Sequence, residues 1–322
     1  MKFFKFLKET YISWDKNDPW AKSAVIAYYA LFSLPSLLMI TVHFAGIFYG
    51  GEAVQGRITS EIGGLIGQGS AEAIETMISN AALEDSSLIT IIIGVGMLIF
   101  AATGVFFQLQ KALNNIWSVR AKEEGFMNML KRRATSFGVV LAIGLLLLIT
   151  LFISAAISAL SNYVSDYYSE ASTVMVNVLN FLISQIFITA LFASIFTILP
   201  DVKIKWKTTI LGAFLTSLLF LVGKYLIGFY FSQSNPASVY GAAGSVVLIL
   251  LWVYYTCLIL FFGAELTVNW ALYRNIKISP TKHATLSYEK ELEELRAYKN
   301  KLKEDHNKAK SLKNNTDSSN EL

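Results

Sequence analysis

The sequence predicts an all-α, polytopic membrane protein with six transmembrane helices and both termini in the cytoplasm. Three observations carry that prediction. The 322-residue chain holds six apolar stretches, roughly Ala24–Phe48, Leu88–Leu109, Phe137–Leu160, Val174–Leu199, Thr208–Phe231 and Gly244–Trp270. A helix needs about 20 mostly apolar residues to cross the ~30 Å hydrocarbon core, and each stretch qualifies. Hydrophobic residues make up 54% of the chain against 16% charged, and almost none of the charge falls inside the stretches. Finally, all of the 27 Lys and Arg except Arg57 and Lys224 lie on alternate connecting segments. Basic flanks stay in the cytoplasm, so those segments are the inner ones and the number of spans is even. The chain then divides into a cytoplasmic or interfacial segment (1–23), a membrane domain (24–271) and a charged cytoplasmic tail (272–322).

The N-terminal segment interleaves Phe3, Phe4, Phe6 and Leu7 with Lys2, Lys5 and Lys8. Two readings stay open: a short interfacial helix against anionic headgroups, or a basic flank that only fixes orientation. No apolar run precedes Ala24, so the start does not read as a secretory signal. Span one carries Tyr28, Tyr29, Ser33 and Ser36 near its inner end. Pro35 removes one helical hydrogen bond and frees a carbonyl near Leu31, which predicts a kink. GIFYG (Gly46–Gly50) has small-xxx-small spacing for close helix contact.

The outer segment Gly50–Ser87 holds Glu52, Glu61, Glu72, Glu75, Glu84 and Asp85 against Arg57 alone. Val54, Ile58, Ile62, Leu65 and Ile66, then Ile74, Met77, Ile78 and Ala81, recur at helical spacing. They predict two amphipathic helices joined at the glycines of Gly63–Ser70. Span two runs on into the cytoplasm, because Leu109, Leu113, Ile116 and Trp117 keep the helical period. Gln108, Gln110, Asn114 and Asn115 cluster there. Span four places Asn177, Asn180, Ser184 and Gln185 on one face, and span six contains Tyr254, Tyr255, Thr256 and Asn269. Such faces either bond helices to one another or line a wet cavity. The tail from Tyr288 to Lys313 is charged and helix-prone, with a near-heptad seam that Lys299 interrupts. Residues 314–322 read as disordered.

Ionisable residues inside a span are costly and invite a functional reading. They are His43, Lys224 and Glu265. A lone His near an outer helix end reads first as a hydrogen-bonded side chain. Lys224 and Glu265 do not read as a pair, since straight helices separate them by ~15 Å in depth at 1.5 Å per residue. Lys224 can snorkel. Glu265 needs a partner, with Lys111, Arg120, Arg132 and Arg133 of the inner loop as candidates.

Several function classes are set aside. The net charge of +4 is dispersed over loops rather than gathered on one face, which gives no nucleic-acid site. The single Cys257 allows no disulfide within one chain. No GxxxxGK[ST] loop is present for ATP. The three His, in span one and the tail, form no metal cluster. No catalytic residue, metal or cofactor is therefore expected.

Four stretches carry a family resemblance: YYALFSLPSLL (Tyr28–Leu38), TGVFFQLQKALNNIWSVR (Thr103–Arg120), LPDVKIKWKTTILGAFLTSLLF (Leu199–Phe220) and VYGAAGSVVLILLWVYYTCLILFFGAEL (Val239–Leu266). Together they resemble the YihY/BrkB family of bacterial inner-membrane proteins, over about Trp20 to Tyr273. Tyr240, Gly241, Trp252, Gly263 and Glu265 match the family's pattern. The resemblance implies six spans with both ends inside, and a link to envelope lipid or lipopolysaccharide transport and to serum resistance. It carries no catalytic residues; the ribonuclease BN label borne by some members conflicts with the scattered His and acids here.

The expected function is that of a non-enzymatic, multi-pass inner-membrane protein handling an amphipathic or lipid-like envelope component through a polar cavity. Its expected partners are membrane lipids, and homo-oligomerisation stays open. The candidate residues are Glu265, Lys224, Tyr28, Pro35, Gln108, Asn114, Asn177, Asn180, Gln185, Tyr240, Trp252 and Tyr254. The alternative is a membrane scaffold acting through its cytoplasmic tail.

Overall fold

A computed structural model describes residues 2–33, 88–122, 170–234, 244–288, 291–292 and 299. The outer amphipathic segment, span three, Pro35, His43, Tyr240 and most of the tail lie outside the described residues. The elements in order are α1 (Lys2–Lys16), α2 (residues 19–33), α3 (Leu88–Ile116), β1 (Val119–Ala121), α4 (Glu170–Ile198), β2 (Val202–Lys203), α5 (Trp206–Ser234), α6 (Gly244–Tyr273), β3 (Ser279–Pro280) and β4 (Ala284–Leu286). Helices α3 to α6 fall on predicted spans two, four, five and six. Within them, Phe181–Ile198, Trp206–Tyr230 and Val246–Tyr273 are long and apolar enough to cross a membrane. The predicted continuation of span two is helical, and Leu109, Leu113, Ile116 and Trp117 are all buried.

Local chemistry sets the helix ends. After α1 the chain turns at Asn17 and Asp18, the latter with φ 49°. The Asp18 carboxylate accepts from the Ala21 amide at 3.4 Å, and Pro19 occupies the first helical position, where its missing N–H costs nothing. Helix α6 closes with Asn275 at φ 53°: the Ile276 amide donates to the Ala271 carbonyl and the Asn275 amide to that of Leu272, both at 2.9 Å. This is the left-handed cap that asparagine tolerates.

Helix α6 is the hub, touching α1, α3 and α5, while α4 packs on α5. The α5–α6 contact is reciprocal. Thr267 of α6 sits over Gly212 of α5, and Thr216 of α5 sits over Gly263 of α6; a methyl group on either glycine would overlap the facing threonine. Each threonine hydroxyl donates to the glycine carbonyl four residues back on its own helix, at 2.6 Å from Thr216 and 2.7 Å from Thr267. Neither of these two hydroxyls is left bare in hydrocarbon, and the two backbones approach closely. Farther along, Tyr255 crosses Gly223. The antiparallel register is thereby set over three turns. Phe220 links the layers, its ring 5.9 Å from Phe192 of α4 and 5.8 Å from Trp252 of α6, both edge-on.

The tail does not leave the bundle at residue 272 as a free segment. Residues 279–280 and 284–286 fold back as strands against the segments that follow α4 and α3. β4 pairs antiparallel with β1 (Val119↔Leu286, Ala121↔Ala284), and β3 pairs antiparallel with β2 (Val202↔Pro280, Lys203↔Ser279). The segment after α6 therefore ties together the loops that follow α3 and α4.

Replacing Gly263 or Gly212 with Val should force α5 and α6 apart and destabilise the protein by about 1–3 kcal/mol. Thermal unfolding in detergent, followed by size-exclusion chromatography, reads that loss. Thr216→Ser, which keeps the hydroxyl and shrinks the knob, should be nearly silent.

Candidate functional site

The site starts with helix α1, which carries Thr10 and Ser13 along one side, with Asn17 in the turn after it continuing the spacing. That side lies antiparallel on the last three turns of α6. Phe6 meets Trp270 and Tyr273 edge-on, with ring centroids 6.4 and 6.5 Å apart. Asn269 Nδ2 donates to Thr10 Oγ1 at 3.4 Å. Trp14 stands edge-on to Phe262 at 5.9 Å. At the centre is Glu265, 1% exposed. Ser13 Oγ donates to Glu265 Oε2 at 2.9 Å, and Asn17 Nδ2 donates to Oε1.

Lys22, at the start of α2, completes this joint. Its ammonium donates to the Asn17 carbonyl oxygen. Asp18, Glu265 and Lys111 all act on it electrostatically, and half-burial pushes its pKa below the usual lysine value. Desolvation dominates, the two carboxylates oppose it, and Lys111 adds to it. Ser23 Oγ, next along, is buried without a hydrogen-bond partner among the described residues.

Among the described residues, Glu265 thus takes neutral donors from Ser13 and Asn17 rather than a hydrogen bond from Lys111 or Arg120, two of the four partners expected for it. Arg120 leaves the bundle along β1, and its guanidinium lies 3.9 Å from Glu291. Lys111 faces Lys22. Arg132 and Arg133 lie outside the described residues. The physical reason is that α1 covers the side of α6 that carries Glu265.

A second joint lies at the C-terminal end of α3. Asn114 Nδ2 donates to Asp201 Oδ2 and the Asp201 amide returns a bond to Asn114 Oδ1, both at 2.7 Å. Gln110 Nε2 adds contacts at 3.4 Å to both carboxylate oxygens. The Asp201 carbonyl accepts from the Thr281 amide at 2.9 Å, so one residue joins α3, the α4–α5 loop and the returning tail. A third joint lies between α4 and α5. Gln185 Nε2 donates to Ser217 Oγ at 2.6 Å, with Thr189 Oγ1 2.9 Å from the same hydroxyl.

The candidate residues therefore do not converge on one point. Glu265, Asn114 and Gln185 each anchor a different joint, and Gln185 bonds helices together. Trp252 is a buried ring against Phe220. Tyr28 is 56% exposed beside Tyr29 and Phe32. Gln108 and Tyr254 are half-buried. Asn177 and Asn180 belong to α4, but their side chains lie outside the described residues. Lys224 follows Gly223, which is level with Tyr255, so ten residues of α6, about 15 Å, separate its level from Glu265. The residues that reading the spans missed are Ser13, Asn17, Lys22 and Asp201. The 10, 13, 17 spacing on α1 was the available signal, but it falls outside any span.

The chain matches the family model described as Virulence factor BrkB over residues 13–286. It is 30% identical over 286 residues to a UPF0761 membrane protein of Azotobacter vinelandii, covering 87% of this chain and 66% of the relative. A second UPF0761 membrane protein, from Pseudomonas paraeruginosa, is 28% identical over 281 residues, covering 84% and 62%. The UPF0761 membrane protein YihY of Escherichia coli is 29% identical over 190 residues, covering 58% and 61%. The chain spans less than two thirds of the length of these relatives. No solved structure matches it.

Combining Ser13→Ala with Asn17→Leu leaves Glu265 buried without its donors, at a cost of about 1.5–3 kcal/mol for each bond lost. The expected outcome is faster protease cleavage near residues 15–20 in detergent-solubilised protein. Asn114→Leu should leave that cleavage unchanged and instead expose the loop around Asp201.

Proposed function

Because the chain belongs to the BrkB family of membrane proteins, we propose that it is a multi-pass protein of the bacterial inner membrane, with six spans and both termini cytoplasmic, that handles an amphipathic or lipid-like component of the envelope without enzymatic chemistry. One observation carries the reading: a fully buried carboxylate, Glu265, within an apolar helix long enough to cross a membrane, whose hydrogen bonds among the described residues come from the neutral side chains of Ser13 and Asn17. Such a group is expensive in this setting, and where it occurs it marks a pathway or binding position more often than it supplies stability. Lys22 beside it supplies the opposite charge. Opening the α1–α6 contact would present a carboxylate, an ammonium and two neutral hydrogen-bonding groups to the headgroup of a solute whose apolar part stays in lipid.

A second reading, a scaffold acting through its tail, draws support from the strands β3 and β4. They hold Ser287 beside the end of α3, where the Ser287 amide donates to the Ser118 carbonyl at 2.9 Å.

The two readings separate cleanly in a strain whose deletion of this protein has an envelope phenotype. Glu265→Gln and Lys22→Gln, at normal membrane levels, are expected to fail to restore envelope lipid composition. Truncation after Leu292, which spares β4, is expected to restore it in full. Full activity of both point variants would overturn the lipid reading; loss on truncation alone would favour the scaffold. A reporter fused after Leu322 should be accessible only from the cytoplasm.

A further inference from the structure

The pairing of β2 with β3 builds a cationic face where two apolar helices end. Lys203 lies opposite Ser279 in that pair. Side chains alternate between the two faces of an extended chain, and burial follows the alternation here. Val202 is buried, and Ile204 and Ile278 pack against the core, while Lys203, Lys205 and Lys277 are exposed. Three ammonium groups therefore share the outer face of one ribbon, and exposed Lys207 follows as the second residue of α5. Among the described residues none of these four lysines makes an ion pair. The neighbouring acid, Asp201, is taken up by the Asn114 and Gln110 amides.

The helices fix the level of this face. Trp206–Tyr230 and Val246–Tyr273 are each long and apolar enough to cross a membrane. The contacts of Gly212 with Thr267 and of Gly263 with Thr216 run antiparallel, and that register brings Trp206 level with Tyr273. Both rings are exposed. The Arg274 guanidinium lies 5.6 Å over Trp270, one turn back on α6. Tryptophan and tyrosine mixed with basic residues at the end of a span mark the boundary between hydrocarbon and water. Lys203 and Lys205 precede Trp206, and Lys277 follows Tyr273, so all three stand just beyond that boundary.

We propose that the outer face of the β2–β3 ribbon is a docking surface for anionic phospholipid, with Lys203, Lys205 and Lys277 on the headgroup phosphates and Trp206 at the top of the acyl chains. Charge complementarity selects this occupant, because ammonium groups without a carboxylate partner stand at the level where an anionic bilayer carries its phosphates. This docking is separate from any solute the protein carries.

The test uses full-length protein with Ser279→Cys in a Cys257→Ala background, labelled with a fluorophore and reconstituted in phosphatidylcholine bilayers. Phosphatidylglycerol or phosphatidylcholine bearing a nitroxide at the top of one acyl chain is added at equal fraction as quencher. Stronger quenching by the anionic lipid is expected, with each lysine contributing up to about fivefold to the preference. Lys203→Gln, Lys205→Gln and Lys277→Gln together should abolish it, while Lys2→Gln, Lys5→Gln and Lys8→Gln together, an equal loss of charge on α1, should leave it in place. Equal quenching by the two lipids overturns the proposal, as does a preference that survives the first triple substitution or is lost in the second. A label reached by aqueous acrylamide but by neither lipid also overturns it. So does one shielded from all three quenchers, which would mean that protein covers this face.

Discussion

The reciprocal contact of Thr216 with Gly263 and Thr267 with Gly212 is the interaction on which the arrangement depends. In hydrocarbon, apolar side chains gain little by leaving lipid for one another, so close approach and satisfied polar groups decide which helices pair. Here both are met at once, because each hydroxyl is bonded within its own helix while its methyl side fills the space over a glycine. Gly263 and Thr267, four residues apart, lie on one side of α6. Glu265, midway between them in sequence, is turned to the opposite side. The contact that fastens α6 to α5 therefore also aims the carboxylate at α1.

From that geometry the division of labour along the inner face follows. Joints made of neutral amides and hydroxyls, such as Gln185 with Ser217, hold helix to helix within the membrane. Asp201 lies in the turn between α4 and β2 and takes the Asn114 and Gln110 amides, which fastens three segments at one residue. Glu265 differs from both. It is a buried acid within an apolar helix, and among the described residues its donors come from α1 and the turn after it.

How much of this was legible beforehand differs by feature. The apolar stretches gave the positions of α3 to α6 within a few residues, and the period of Leu109, Leu113, Ile116 and Trp117 carried α3 past the membrane edge. The depth argument that kept Lys224 and Glu265 apart agrees with the Gly223–Tyr255 register. The importance of Glu265 was visible from its cost, but its partners were not. Attraction of opposite charges pointed to the arginines of the next loop, whereas neutral Ser13 and Asn17 carry no long-range signal. The strands β1 to β4, two or three residues each, are too short for any alternation to register.

The sequence by itself determined which segments are apolar enough for lipid and which ends are cationic, because both are properties of a segment taken alone. Which face of one helix meets which face of another is a property of pairs, decided only when α5 and α6 close at their glycines and α1 comes to rest on α6. The polar partners of Glu265, Asn114 and Gln185 were settled at that stage, since a hydrogen bond is directional and reaches about 3 Å.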